Sequence, residues 1–112
     1  MKTHEMKLQD KPFQSIKNQT KTIEMRLYDE KRKLINVLDE IVFTNMISGE
    51  KLKVVVKNIS VFDNFESLYN HFDKTKLGYE KNEIAKPDDM NIYYSKIEQK
   101  KYGVCAIEIE LI

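Results

Sequence analysis

Lys21, Glu24 and Arg26 stand close together in TKTIEMRLYDEKR, residues 20–32. A lysine partly withdrawn from water shifts toward its neutral form and becomes a base or a nucleophile. An arginine offers a planar fork of donors to a phosphate or a base edge, and a glutamate can hold that fork or accept a base amine. Together the three types would line a cleft for an anionic or heterocyclic ligand. They also fit a solvated strand. Ile23, Met25 and Leu27 alternate, which places Lys21 in phase with the apolar row and Thr22, Glu24 and Arg26 on the other face. On that reading the Lys21 stem covers apolar surface with its amine in water. Glu24 and Arg26 are then an exposed pair worth less than about 1 kcal/mol. Spacing alone leaves both readings open.

Other residues bear on the choice. The run Asp29-Glu30-Lys31-Arg32-Lys33 reads as a solvated connection or as the positive lip of such a cleft, with Arg32 as a phosphate contact. Tyr93 and Tyr94 are adjacent, so one packs inward while the other faces outward, and Tyr94 is a candidate stacking platform for a base. His4 ends the row of Met6 and Leu8 and reads as a rim or core histidine. Cys105, the one cysteine, lies in an apolar row and reads as an inert thiol. One cysteine and two distant histidines give neither a disulfide nor a zinc spacing, so no metal and no cofactor are expected.

Nineteen Lys and Arg against eighteen Asp and Glu leave a formal net charge of +1, which argues against coating nucleic acid through bulk charge. A local basic patch stays open. Residues 1–9 lack the apolar segment of a signal peptide, and no apolar run reaches the ~20 residues of a membrane span. A cytoplasmic protein is expected, folded as a single domain over residues 1–112.

Period and punctuation then place the elements. His4, Met6 and Leu8 mark a first strand, and Asp10 caps a short helix over 11–18 with Pro12 in its first turn. Strands follow over 21–27 and 40–45. Ser48-Gly49 turns into a β-branched strand over 52–61, giving a hairpin. Phe65, Leu68, Tyr69 and Phe72 recur at helical spacing over 62–72, with Asp63 near the cap. Residues 74–86 show no strong pattern. Pro87 and Asp88 open another helix, Gly103 stops it, and 104–111 is the last strand, with Cys105, Ile107, Ile109 and Leu111 on one face. Strands and helices do not alternate one for one, so a doubly wound parallel sheet is not expected. An α+β fold is, with a small mixed barrel and helices against its openings.

In that order of elements, Lys21-x-x-Glu24-x-Arg26 resembles the signature of the ASCH domain, a relative of the PUA fold. The strand Asp39-Glu40-Ile41-Val42-Phe43, an aromatic helix after a long strand and the closing Gly103-Val104-x-x-Ile107-Glu108-Ile109 agree with it. The family places glycine where this chain has Gln19, and again at Leu38. Both glycines serve turns that favour positive φ, so modest strain is expected there. The resemblance implies a PUA-like barrel of five or six strands with two or three flanking helices. It also implies a cleft for RNA, a nucleotide or a modified nucleoside, lined by Lys21, Glu24 and Arg26. Some small relatives are acetylcytidine amidohydrolases, with threonine where this chain has Glu24 and a second carboxylate in the later helical region, for which Asp88 or Asp89 is the nearest candidate here. Three functions are thereby set out: a binding module using Lys21, Glu24, Arg26, Arg32 and Tyr94; an amidohydrolase using Lys21, Glu24 and Asp88; or a protein-interaction domain whose charged strand is only surface.

Overall fold

Alternation of apolar and polar side chains builds most of the sheet. In the computed structural model, which describes residues 1–112, β1 (Thr3–Leu8) buries Met6 and Leu8 while Glu5 and Lys7 face out. The next strand of the sheet, β3 (Glu40–Asn45), buries Ile41, Phe43 and Asn45 in the same rhythm. It turns through Gly49, at φ 76°, into β4 (Lys51–Phe62). The long β4 has a register shift between Val56 and Asn58, and its residues 54–62 pair with β5 (Val104–Leu111). At the far edge of the sheet lies β2 (Ile23–Leu27).

The strand order is β1-β3-β4-β5-β2. Only β1 and β3 run parallel, and the other pairs are antiparallel. This is a mixed sheet curled into a half-barrel, of the PUA-like kind, with α1 (Asp10–Lys17), α2 (Phe65–His71) and α3 (Lys96–Tyr102) around it. No helix is long and apolar enough to cross a membrane.

The interior strand β5, between β4 and β2, is covered on both faces and divides two cores. Cys105, Ile107 and Ile109 join Met6, Leu8, Phe13, Ile16, Phe43 and Val54 inside the curl. Val104 and Ala106 join Ile23, Met25, Leu27, Phe65, Leu68, Leu77 and Met90 on the outer side. The first core is closed at one end by Asp39. Its carboxylate accepts from His4 Nε2 at 2.8 Å and from the backbone N–H groups of Lys2 and Asn36. The His4 contact first, then the two amides, hold its pKa well below the usual carboxylate range.

Several expected boundaries move. Asp10 is the first residue of α1 rather than its cap, which is Gln9, and its side chain accepts from Asn45 Nδ2 at 2.9 Å instead. Asn64, not Asp63, caps α2 by accepting from Ser67 N–H. The helix expected from Pro87 to Gly103 is two pieces, a 3-10 turn over Pro87–Ile92 and α3, because Ser95 and Glu98 form a capping box that starts a new helix. Ile92 and Ile97, apolar residues of this stretch, are both exposed.

Lys21 lies ahead of β2, outside the strand, so it does not share the phase of Ile23 and Met25. Gln19 and Leu38 are the two non-glycine residues with positive φ, at 65° and 76°. These are the positions where the ASCH pattern carries glycine.

Candidate ligand-binding cleft

The position of Lys21 is set by the end of α1. Gln19, in the left-handed region, directs its N–H to Ile16 O while Thr20 N–H reaches Ser15 O, a Schellman motif. Lys21 N–H also bonds Ser15 O, so the chain leaves the helix in a tight, fully bonded turn. Thr22 and Ile23 N–H groups both donate to Lys76 O, tying this exit to the segment that includes Gly78. Gly78 has φ 107°, and a Cβ there would stand 3.0 Å from Lys21 Cδ. The glycine thus lets the loop lie against the lysine stem.

The strand then brings the other two charges to the same place. Glu24 and Arg26 pair in register with Ile107 and Cys105, so their face points into the curl rather than into water. Lys21 Nζ is 3.0 Å from Glu24 Oε1. Arg26 Nε donates to Glu24 Oε2 at 3.0 Å, and Nη2 lies 2.9 Å from the same oxygen. Nη2 also donates to Lys7 O of β1 at 2.9 Å, so Arg26 bridges the two edge strands. Glu24 is 4% exposed and Lys21 8%, and Arg26 is half-buried beside them, so the three do not form a solvated face.

Burial by itself would raise the Glu24 pKa. The Lys21 and Arg26 charges and hydrogen bonds outweigh it and hold the carboxyl below its ordinary value. Burial pulls the Arg26 pKa down, but Glu24 more than restores it. The carboxylate is therefore ionised and fully engaged. One oxygen meets Lys21 and the other meets Arg26. Two sets of donors are left over: the remaining N–H groups of the Lys21 amine, and Arg26 Nη1, which has no protein partner.

Those donors border a cleft of about 400 Å³ in the open side of the half-barrel. One wall comes from Leu8, Gln9 and Pro12, and Met46 lies beside them. The Asp10–Asn45 bond fixes this wall. The opposite wall comes from Leu77, Gly78, Tyr79, Asp89, Met90, Tyr93 and Tyr94. Tyr79 donates to Asp89 Oδ2 at 2.8 Å and also shares a hydrogen bond with Tyr69. Burial first, then those two contacts, push the Tyr79 hydroxyl well up, so it remains a neutral donor. Tyr94 stacks on Phe65 with ring centroids 6.2 Å apart, and burial raises its hydroxyl as well. Tyr93 is 57% exposed at the mouth.

The structure thus brings together Lys21, Glu24, Arg26 and Tyr94. Arg32 lies outside the cleft lining, held by Asp29 at 3.2 Å, although its charge acts on the Tyr94 hydroxyl. Asp88 is exposed and also outside the lining, whereas Asp89 is part of it. Cys105 is buried, and its thiol is pushed up to about 12 by that burial, which leaves it inert. Sequence reasoning missed Leu77, Gly78 and Tyr79, which lie in the segment without a pattern. The one local signal was Gly78, and its partner Lys21 is distant in sequence.

The family model for the ASCH domain matches residues 6–112. Among solved structures, the crystal structure of the hypothetical protein PH0355 is similar, with 36% identity and a TM-score of 0.83 over 98% of this chain and 99% of that one. The solution NMR structure of protein PF0455 from Pyrococcus furiosus is also similar, with 38% identity and a TM-score of 0.77 over 98% and 97% of the two chains. No curated protein matches the chain.

Proposed function

Because the chain belongs to the ASCH domain family, we propose that it acts as a single ASCH domain over residues 1–112 and binds RNA through one nucleotide or modified nucleoside seated in the Lys21–Glu24–Arg26 cleft. The observation that carries this reading is the set of unspent donors on Lys21 and Arg26, held by one buried carboxylate and facing a tyrosine wall. Donors of this kind recognise carbonyl oxygens and ring nitrogens of a base, or phosphate oxygens. Tyr93 and Tyr94 offer faces for stacking, worth about 1–3 kcal/mol per base in single-strand recognition. Glu24 organises the two cations, and its oxygens are already occupied. A volume of about 400 Å³ suits one small ligand and not a duplex.

The test is titration of cytidine, uridine, their monophosphates and short RNAs by calorimetry and fluorescence anisotropy. Losing a charged hydrogen bond costs about 1.5–3 kcal/mol, so Arg26→Ala should weaken the bound ligand by at least tenfold. If wild type and a Lys21→Ala/Arg26→Ala variant bind every probe equally weakly, the reading fails.

A second reading is hydrolysis of an acylated nucleoside such as acetylcytidine. It draws on the Lys21 amine beside an ionised carboxylate, with Asp89 on the opposite wall. Incubation with acetylcytidine decides it. No cytidine above the Lys21→Ala background removes this reading and leaves the binding module.

A further inference from the structure

We propose that a second groove, between α3 and the junction of β4 with α2, carries the sugar-phosphate backbone of a single-stranded RNA whose nucleoside occupies the cleft. This rests on the cleft reading above. The groove has a volume of about 610 Å³ and is lined by Phe62, Asp63 and Asn64 on one side and Lys96, Lys100 and Lys101 on the other. Lys96 and Lys100 stand one turn apart on one face of α3. None of the three lysines has an acidic partner, whereas Lys17, Lys33, Lys53 and Lys57 each do.

The local sequence does not neutralise them. Glu98, the acid of α3, is turned back onto Ser95 in the capping box. Asp63 is the single acid on the groove. The helix dipole favours cations in the last turn, which accounts for Lys100 and Lys101. It disfavours one in the first turn, where Lys96 stands, so that residue lacks a helical reason for its charge. Since the whole chain carries a net charge of only +1, a polyanion must be held by a local cluster of this sort.

The linings of groove and cleft come close along the chain at Tyr94 and Lys96. Tyr94 lines one and Lys96 the other, which at about 3.8 Å per residue puts their backbones within about 8 Å. Gln99, on the groove, donates to Tyr94 O and to Asn91 Oδ1, each at 2.9 Å, and so fixes the bend between the two sites. A strand leaving the cleft over Ser95 meets the lysines next.

The experiment uses a labelled oligouridylate of about ten nucleotides, within the site size of single-strand grooves, and uridine monophosphate as the short probe. Lys96→Ala/Lys100→Ala/Lys101→Ala should weaken the oligomer about tenfold or more. It should also flatten the dependence of log affinity on log salt by about 2, at ~0.7 per phosphate contact on a single strand. The monophosphate should bind as to wild type. A charge-matched control, Lys17→Ala/Lys53→Ala/Lys57→Ala, should keep oligomer affinity. The proposal is overturned if the groove variant retains wild-type affinity and salt slope, if the control loses as much, or if wild type does not bind the oligomer. Loss of oligomer by the groove variant, with no monophosphate binding by any protein, would keep the groove and remove the cleft reading.

Discussion

Glu24 is the residue on which the cleft depends. Alone, its burial would be costly, and so would that of Lys21. Together with Arg26 they are mutually compensated, and this makes the triad sensitive to loss of any one member. Glu24→Gln leaves two cations near each other without a counter-charge, which should destabilise the protein by about 3 kcal/mol at neutral pH. The dependence on pH follows from the lowered carboxyl. The contribution of Glu24 is complete above the unfolded value of about 4.5 and is lost as pH falls through the lower folded value. Urea titrations from neutral to acid pH should therefore show the wild-type advantage over Glu24→Gln shrinking below that point. Equal stability of the two proteins at neutral pH would mean that the carboxylate does not hold the cations.

At the scale of elements, two turns aim the site, and each offers a test. Gln19 sits at φ 65°, where a side chain costs about 1–2 kcal/mol and glycine costs about 0.5–1 in chain entropy. Gln19→Gly should accordingly gain up to about 1 kcal/mol in chemical denaturation while leaving ligand affinity unchanged. A loss of stability would show that the Gln19 side chain does more than tolerate its turn. Gly78→Ala acts in the opposite direction. It adds a Cβ against Lys21 Cδ at a φ that L-residues rarely adopt, costing about 1–3 kcal/mol of backbone strain. It should also displace the amine and weaken nucleotide binding about tenfold, and wild-type affinity in a folded Gly78→Ala protein would separate the loop from the site. The sequence made much of this legible where the physics is local. Alternation in β1 and β3 follows from burial of alternate residues, and the positive φ at positions 19 and 38 agrees with the turns expected there from the ASCH resemblance. The place of Lys21 outside the strand was not legible. Its alternation with Ile23 and Met25 mimics two more strand residues, and only the Schellman turn breaks the phase. The helix from Pro87 was over-extended because Met90, Tyr93 and Ile97 recur at i, i+3 and i+7, while the Ser95-x-x-Glu98 capping box, which was readable, marks the true restart.

Across the whole molecule, the half-barrel has an open seam, and a side chain spans it. The edges β1 and β2 share no backbone ladder, since each pairs on one side only, with β3 and β5. Arg26 crosses between them to Lys7 O while its other nitrogens hold Glu24. One guanidinium thus links the proposed ligand site to the closure of the sheet, which a lysine cannot reproduce because it lacks the planar fork. Arg26→Lys keeps the charge and loses the bridge. Amide hydrogen exchange read by mass spectrometry should speed up in the segments of Lys7–Leu8 and Ile23–Leu27, while the β3–β4–β5 centre stays protected. Saturating ligand should slow the same two edges in wild type and have less effect in Arg26→Lys, because binding and closure use the same side chain. Unchanged exchange at both edges would show that the seam is held by the packing of α1 and the second core, and would confine Arg26 to the ligand site.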